Sequence, residues 1–306
     1  MYSARLIRDS VNEAGFRLSS FIFTMPKFIQ AELNTHRLLS RGSASSRAIP
    51  TSVMLTNIQE DPVLPVFWGK NQKGMQAEEM LDPASAAEAR EIWLELMRAN
   101  VRGAQELAAL GVHKQLANRP TETWMFTSVL VTATEFQNFF GLRDHPDAQP
   151  EFKRVASEAH ELYSQSTPQL VKAGGWHLPL CPDEEELTEE VGLGLVGWAV
   201  AGRCARLSYL THEKKRDPNE DLRLARDCLE AGHMGPFEHP CLSLTWGEWK
   251  EYVHSRIDGW LGSSNLPPGT MQEDGVPLGN IRGWLPLRKS LPLEHNFKKI
   301  LLARGE

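Results

Sequence analysis

Apolar and polar positions change period several times along the chain. Residues 16–25 (FRLSSFIFTM) read as a strand that Pro26 closes. Residues 27–39 shift to helical spacing, with Phe28, Ile29 and Leu33 on one stripe. A polar run, Ser40 to Arg47 (SRGSASSR), follows, and Pro50 stops any helix there. Residues 55–80 carry Pro62, Pro65, Gly69 and Gly74 and read as loop. Asp82 and Pro83 have the character of an N-cap and a first helical residue. The helix they start runs to about Leu110 and stops at Gly111, with Ile92, Leu96, Ala99 and Leu107 as its apolar face. Residues 121–143 are apolar and aromatic and predict a buried helix. Residues 150–172 predict an amphipathic helix through Phe152, Val155, Ala159 and Leu162, kinked at Pro168. Residues 174–190 hold Gly-Gly, two prolines and the acidic run Asp183 to Glu186, and read as a surface connection with a solvated acidic face. A second segment begins near Val191. In it, Asp217-Pro218-Asn219-Glu220 starts a helix with Glu220 at the capping-box position, ending near Gly232. Beyond Trp246 no period is visible; Trp246, Trp249, Trp260 and Trp284 are expected in the core or in a subunit interface.

Composition narrows the class. A chain of 306 residues makes one large domain or two small ones and buries a sizeable core without disulfides or metals. With 41% hydrophobic residues, 24% charged residues and a net charge of −6, it has a globular balance and no general attraction for nucleic acid or anionic membrane. The four cysteines, Cys181, Cys204, Cys228 and Cys241, include no C-x-x-C pair, which suits reduced thiols in a cytoplasmic protein. The N-terminus lacks a signal-peptide layout. The apolar stretch Gly192 to Gly202 is 11 residues long, too short for a bilayer. An enzyme or a binding module is the expectation.

Three clusters carry candidate chemistry. The densest is Thr35-His36-Arg37 with Ser40, Arg41, Ser43, Ser45, Ser46 and Arg47. Arginine forks and short hydroxyls at the end of a helix suit a phosphate; as a surface loop, the same run is incidental charge. Neither a Walker loop nor G-x-G-x-x-G is present there. The second cluster is His233-Met-Gly-Pro-Phe-Glu238-His239. Its spacing fits no zinc motif, so no metal is expected, and Glu238 beside His239 either orients a ligand or satisfies a buried turn. The third runs from Asn138 to Gln149 and contains Arg143, either a core salt bridge or a ligand clamp. His113, Lys114, Asn118 and Arg119 form a weaker group of the same kind.

Together these segments resemble the flavin-dependent thymidylate synthase family. The family signature, Arg-His-Arg, seven residues, then Ser-x-Arg, is matched by Thr35-His36-Arg37, seven residues, then Ser45-Ser46-Arg47. His233 to His239 matches the family's His-x-x-Pro-Phe/Leu-Glu-His. Gly202 to Tyr209 resembles its Ala-x-Arg-x-Ser-Tyr start, and Asn138 to Glu151 its Asn-Phe-Leu-x-Leu-Arg…Ala-Gln-x-Glu helix. The order differs: segments that open the family come last here, as in a circular permutation with residues 174–190 joining the old ends. The expected organisation is one domain over 1–306, with the signature part in 16–173, the family's N-terminal part in 191–245 and an extension over 247–306. The matched pieces cover about half the chain.

The resemblance implies an α/β (α+β) fold, an antiparallel-rich sheet packed with long helices, in a homotetramer with shared active sites. It implies FAD as cofactor, NADPH and methylenetetrahydrofolate as co-substrates, and dUMP as the acceptor that becomes dTMP. Membrane and polynucleotide partners are not expected. Carried over, His36, Arg37, His233, Glu238 and Asn138 contact FAD. Ser45 and Arg47 bind the nucleotide, with Arg119 as a further cation, and Arg143 clamps the pyrimidine. Arg143 and Ser45 are the catalytic candidates, Ser45 as a phosphate-holding hydroxyl rather than a covalent nucleophile. Thr35, Gly42, Ser43, Ala31, Glu32 and Asp147 depart from the family pattern. These departures leave room for another pyrimidine nucleotide, for hydroxymethylation, or for a homologue that binds without turnover.

Overall fold

The structure is a computed structural model that describes residues 1–207, 217–251 and 280–291. Ser208 and Tyr209 of the Ala-x-Arg-like segment, Trp260 and most of the C-terminal extension lie outside the described residues. The chain opens with a hairpin of β1 (Ser3–Asn12) and β2 (Arg17–Pro26). A 3-10 turn (Lys27–Ile29) leads into the single turn α1 (Gln30–Leu33), then β3 (Ser40–Ser43), α2 (Thr51–Glu60), the long α3 (Pro83–Ala109) and the short α4 (Lys114–Ala117). Next come β4 (Phe126–Ala133), α5 (Gln137–Arg143), α6 (Pro150–Gln165) and β5 (Gln169–Val171). The second half holds β6 (Trp176–His177), α7 (Glu184–Val191), α8 (Val196–Ala205) and α9 (Pro218–Glu230). A 3-10 turn (Gly235–Glu238), β7 (Cys241–Ser243), β8 (Trp284–Pro286) and α10 (Leu287–Ser290) complete it.

The larger sheet has the order β3-β4-β2-β1-β5, antiparallel except for the parallel β1–β5 pair. A smaller antiparallel sheet runs β6-β7-β8. Strand alternation divides the core in two. On one face Phe21, Phe23, Val129 and Val131 pack with Phe139, Phe152 and Val155 of α5 and α6. On the other, Ile22 and Leu130 meet Leu178, Leu187, Val196 and Val200. Full burial of each such side chain stabilises by about 1.5–3 kcal/mol.

A row of hydroxyls crosses that second face, one from each of β1, β2 and β4. His177 of β6 bonds Ser10 through Nδ1 (2.9 Å) and Ser20 through Nε2 (2.8 Å). Ser20 Oγ lies 2.6 Å from Thr132 Oγ1, which lies 2.9 Å from His239 Nδ1. All five residues are buried. Two imidazoles therefore pin the small sheet to the large one. Further out, α8 and α9 cross so closely that a Cβ at Gly202 would stand 2.0 Å from the Asp221 carbonyl oxygen. Asp221, fully buried, takes Arg203 Nε at 3.0 Å and also pairs with Arg206. Arg203 continues to Asp183 at 2.6 Å, which ties α7 to the same network.

Several sequence expectations are corrected. Residues 121–143 are not one buried helix but a 3-10 turn, β4 and α5. A strand covered on both faces has no alternation, and its apolar run looks like a buried helix. The helix expected over 27–39 is a 3-10 turn and one helical turn, and Phe28 is exposed. No helix crosses Pro50, as expected, but Pro50 is itself the N-cap of α2, whose second half occupies the start of the expected 55–80 loop and which Met54, Leu55 and Ile58 bury. Asp82 and Pro83 start α3 as expected, yet its buried face is Met97, Val101 and Ala104, while Ile92 and Leu96 are each 52% exposed. The helix over 150–172 ends at Gln165, ahead of Pro168, and gives way to β5. Residues 174–190 are more than a surface connection: Leu178, Cys181 and Leu187 are buried, and Glu184 pairs with Arg8 at 2.8 Å. Trp249 and Trp284 are buried, and Trp246 is 36% exposed. The four cysteines are free and buried, and burial raises each thiol.

Candidate functional site

The turn after α1 brings the first and third sequence clusters together. Arg143, the last residue of α5, donates from Nε to His36 Nε2 (2.9 Å) and from one terminal nitrogen to Glu32 Oε2 (2.9 Å). Its other terminal nitrogen reaches Thr35 Oγ1 at 3.4 Å, and its guanidinium carbon lies 4.9 Å from the centre of the Phe152 ring. His36 is 7% exposed and is held edge-on against Phe139 and Phe152. Burial first, then the Arg143 and Arg41 charges, push its pKa down to about 4. The ring is therefore neutral near pH 7, with Nε2 as acceptor and the proton on Nδ1. The spacing of the signature thus yields an arginine locked in place by three side chains.

Arg41 closes the same turn by donating to the carbonyls of Leu33 and His36, both at 2.9 Å. Burial lowers its pKa and the Glu238 charge raises it. Glu238, in the 3-10 turn that packs against β3, pairs with Arg288. The second sequence cluster is in this way joined to the first by charge.

The Ser45–Ile49 segment is gripped from behind. Lys114 Nζ donates to the Ala48 carbonyl (3.0 Å), and Asn118 Nδ2 to those of Ser46 (2.8 Å) and Ile49 (3.1 Å). Ser46 Oγ donates to Glu122 Oε1 (2.5 Å), which also takes Arg119 at 2.8 Å. With its carbonyls drawn inward, the segment leaves Ser45 half-buried and Arg47 exposed. The weak group around Lys114 is thus the support of this turn, with Arg119 at its rim. Arg37, Asn138 and His233 are all exposed. A cleft of about 1070 Å³ opens beside Arg143, bounded by Glu32, Gln149, Lys153, Arg154 and the segment around Gln76.

Sequence reasoning passed over Glu32, Glu122, His177 and Arg288 as site-forming groups. Glu32 carried a usable signal only in its place, four residues before His36 in the signature segment; the helix that spacing suggests ends at Leu33. The other three reach the site through contacts distant in sequence, Glu122 to Ser46, His177 to Ser10 and Ser20, and Arg288 to Glu238. Among the described residues no group of three or more His, Cys, Asp or Glu is placed to hold a metal, and no helix is long and apolar enough to cross a membrane.

No curated protein matches the chain. Solved structures that resemble it include the UMP/dUMP methylase PolB from Streptomyces cacaoi bound with 5-Br UMP, at 13% identity over 54% of this chain and 89% of that one, with a TM-score of 0.43. The same methylase bound with 5-Br dUMP gives 13% identity over 54% and 90%, with a TM-score of 0.44. The family described as thymidylate synthase complementing protein matches residues 16–169, a span that holds the whole Arg143–His36 cluster and the turn it supports, and the chain belongs to that family.

Proposed function

We propose that the chain is a flavin-dependent thymidylate synthase that methylates dUMP at C5 to dTMP, with methylenetetrahydrofolate as carbon donor and NADPH as reductant. The observation that carries this reading is the Arg143 guanidinium fixed by His36, Glu32 and Thr35 beside the signature turn. C5 of a uracil becomes nucleophilic when negative charge on the ring is stabilised. A cation held by three partners supplies that stabilisation without reorganising during the reaction. His36, neutral and enclosed, positions Arg143 and adds no competing charge. Arg47 offers an exposed fork to the nucleotide phosphate, Ser45 a hydroxyl beside it, and Arg119 a second cation.

An exposed guanidinium, a carboxamide, an imidazole and a carboxylate are a donor and acceptor set that suits the phosphates and ring edge of FAD. The cleft at Arg143 is separate from that set and of mixed charge, lined by Arg143, Lys153 and Arg154 and by Glu32, Glu78 and Asp147. Arg37, Asn138, His233 and Glu238 would hold the cofactor, with His36 acting through Arg143. Bound FAD supplies the redox chemistry, and the protein supplies position and charge. The chain order is read as a circular permutation; the packing of the Gly235–Glu238 turn against β3 supports it.

The test is anaerobic turnover with FAD, NADPH, methylenetetrahydrofolate and dUMP, with the nucleotide product read by mass. A gain of one CH2 unit is expected. A gain of CH2O shows hydroxymethylation, and no product with flavin bound overturns the dUMP reading in favour of another pyrimidine nucleotide or a homologue that binds without turnover. Arg47→Ala is expected to abolish dUMP binding while FAD binding persists; retained dUMP binding rules out the phosphate role.

A further inference from the structure

The hydroxyl row across the large sheet ends on a nitrogen with no partner. His239 is fully buried, its Nδ1 is engaged by Thr132, and its Nε2 has no hydrogen-bond partner. The row passes through Ser10 on β1, Ser20 on β2 and Thr132 on β4. The next strand in the sheet is β3, and the residue facing His239 there is Gly42. A Cβ at position 42 would stand 3.2 Å from Nε2, so any other residue would cover that nitrogen. Gly42 itself is half-exposed and lies between the Arg41 brace and the Ser45–Arg47 turn. Every other polar position in the row is paired, and the unpaired nitrogen lies buried directly behind Gly42, the strand residue next to the Arg41 brace.

We propose that His239 Nε2 is a ligand contact, reserved for an uncharged lactam or imide edge, such as that of a flavin or uracil ring, seated on β3 at Gly42. The inference rests on the functional reading above and deepens it. Burial pushes His239 down to about 3 and holds His177 well below the usual range, so both rings are neutral and each carries one proton. The hydroxyls between them either donate or accept, so the row has two directions. In one, His239 presents a lone pair from Nε2; in the other, an N–H. A lactam or imide edge offers both a carbonyl and an N–H, which suits a nitrogen of this kind. Thr132, Ser20 and His177 are positioning residues: they select the tautomer of His239 and do not touch the ligand.

The test uses the full chain with its histidine ring nitrogens labelled with 15N and observed by NMR. FAD alone and dUMP alone are the probes. One of them is expected to shift the His239 ring nitrogens, and those of His177 with them. In Thr132→Val the His239 shift is expected to persist while His177 no longer responds. Gly42→Ala is expected to weaken the same ligand about tenfold or more, with the melting temperature retained. If wild type binds FAD or dUMP but the His239 signals stay still, or if Gly42→Ala binds with unchanged affinity, the inference falls and the functional reading stands. If wild type binds neither, both fall. The wild-type spectra decide the matter even where a variant fails to fold.

Discussion

Arg143 shows what a single residue of this chain can do and what the sequence says of it. Its type and its place near Asn138 marked it as a clamp or a core ion pair, and the structure shows the ion pair, with Glu32 at 2.9 Å. The guanidinium spends its N–H groups on His36, Glu32 and Thr35 and keeps a face over Phe152. Lysine is a point charge and cannot reproduce that fork. Arg143→Lys is expected to lower turnover about 100-fold or more, the scale of removing one preorganised electrostatic group. Steady-state kinetics beside a thermal melt checks it; a large fall in melting temperature with little loss of turnover assigns Arg143 to folding alone. His36 and Arg143 were legible because motif spacing marks them. Glu122 and Arg288 were not, because each matters through a partner 50 or more residues away, Ser46 in one case and Glu238 in the other.

At the scale of elements, local chemistry was legible where it is local. Asp82 and Asp217 each accept from two backbone N–H groups at the start of their helices, as the cap residues announced. β1 and β3 escaped notice because their polar side chains have partners elsewhere: Asp9 alone takes Arg17, Ser19 and Ser166. The α8–α9 crossing was hidden for a related reason. Its close approach depends on Gly202 and its charges on Asp221, residues that meet only when the helices dock. Asp221→Ala leaves Arg203 and Arg206 short of a buried counter-charge. A loss of about 3–5 kcal/mol is expected, the range for breaking a buried pair from one side. Urea denaturation reads it directly, and a change below 1 kcal/mol would show that water enters the network.

Over the whole molecule, three enclosed imidazoles set the response to acid. His36 at about 4, His239 at about 3 and His177 well below its usual range stay unprotonated in the fold. Unfolded, each titrates near 6.5. Below pH 6.5 the unfolded chain therefore binds protons that the folded chain refuses. Stability is complete above 6.5 and falls as pH drops toward 3, by up to about 1.4 kcal/mol per unit for each ring. Denaturation midpoints that are flat between pH 7 and 8 and decline steadily to pH 5 are expected; a flat profile down to pH 5 counts against the three buried rings.

Two of those rings, His177 and His239, belong to the second half of the chain, while the strands they grip belong to the first. The family match stops at residue 169, which invites expression of that half alone. A fragment of residues 1–173 would carry Ile22, Leu130 and the three hydroxyls bare on one side of its sheet, a surface that sticks to its neighbours. Such a fragment is expected to be insoluble, and to be rescued when residues 174–306 are made beside it as a separate chain. The polypeptide can then be cut at this point without being divisible: its halves are complements, and neither is a smaller protein.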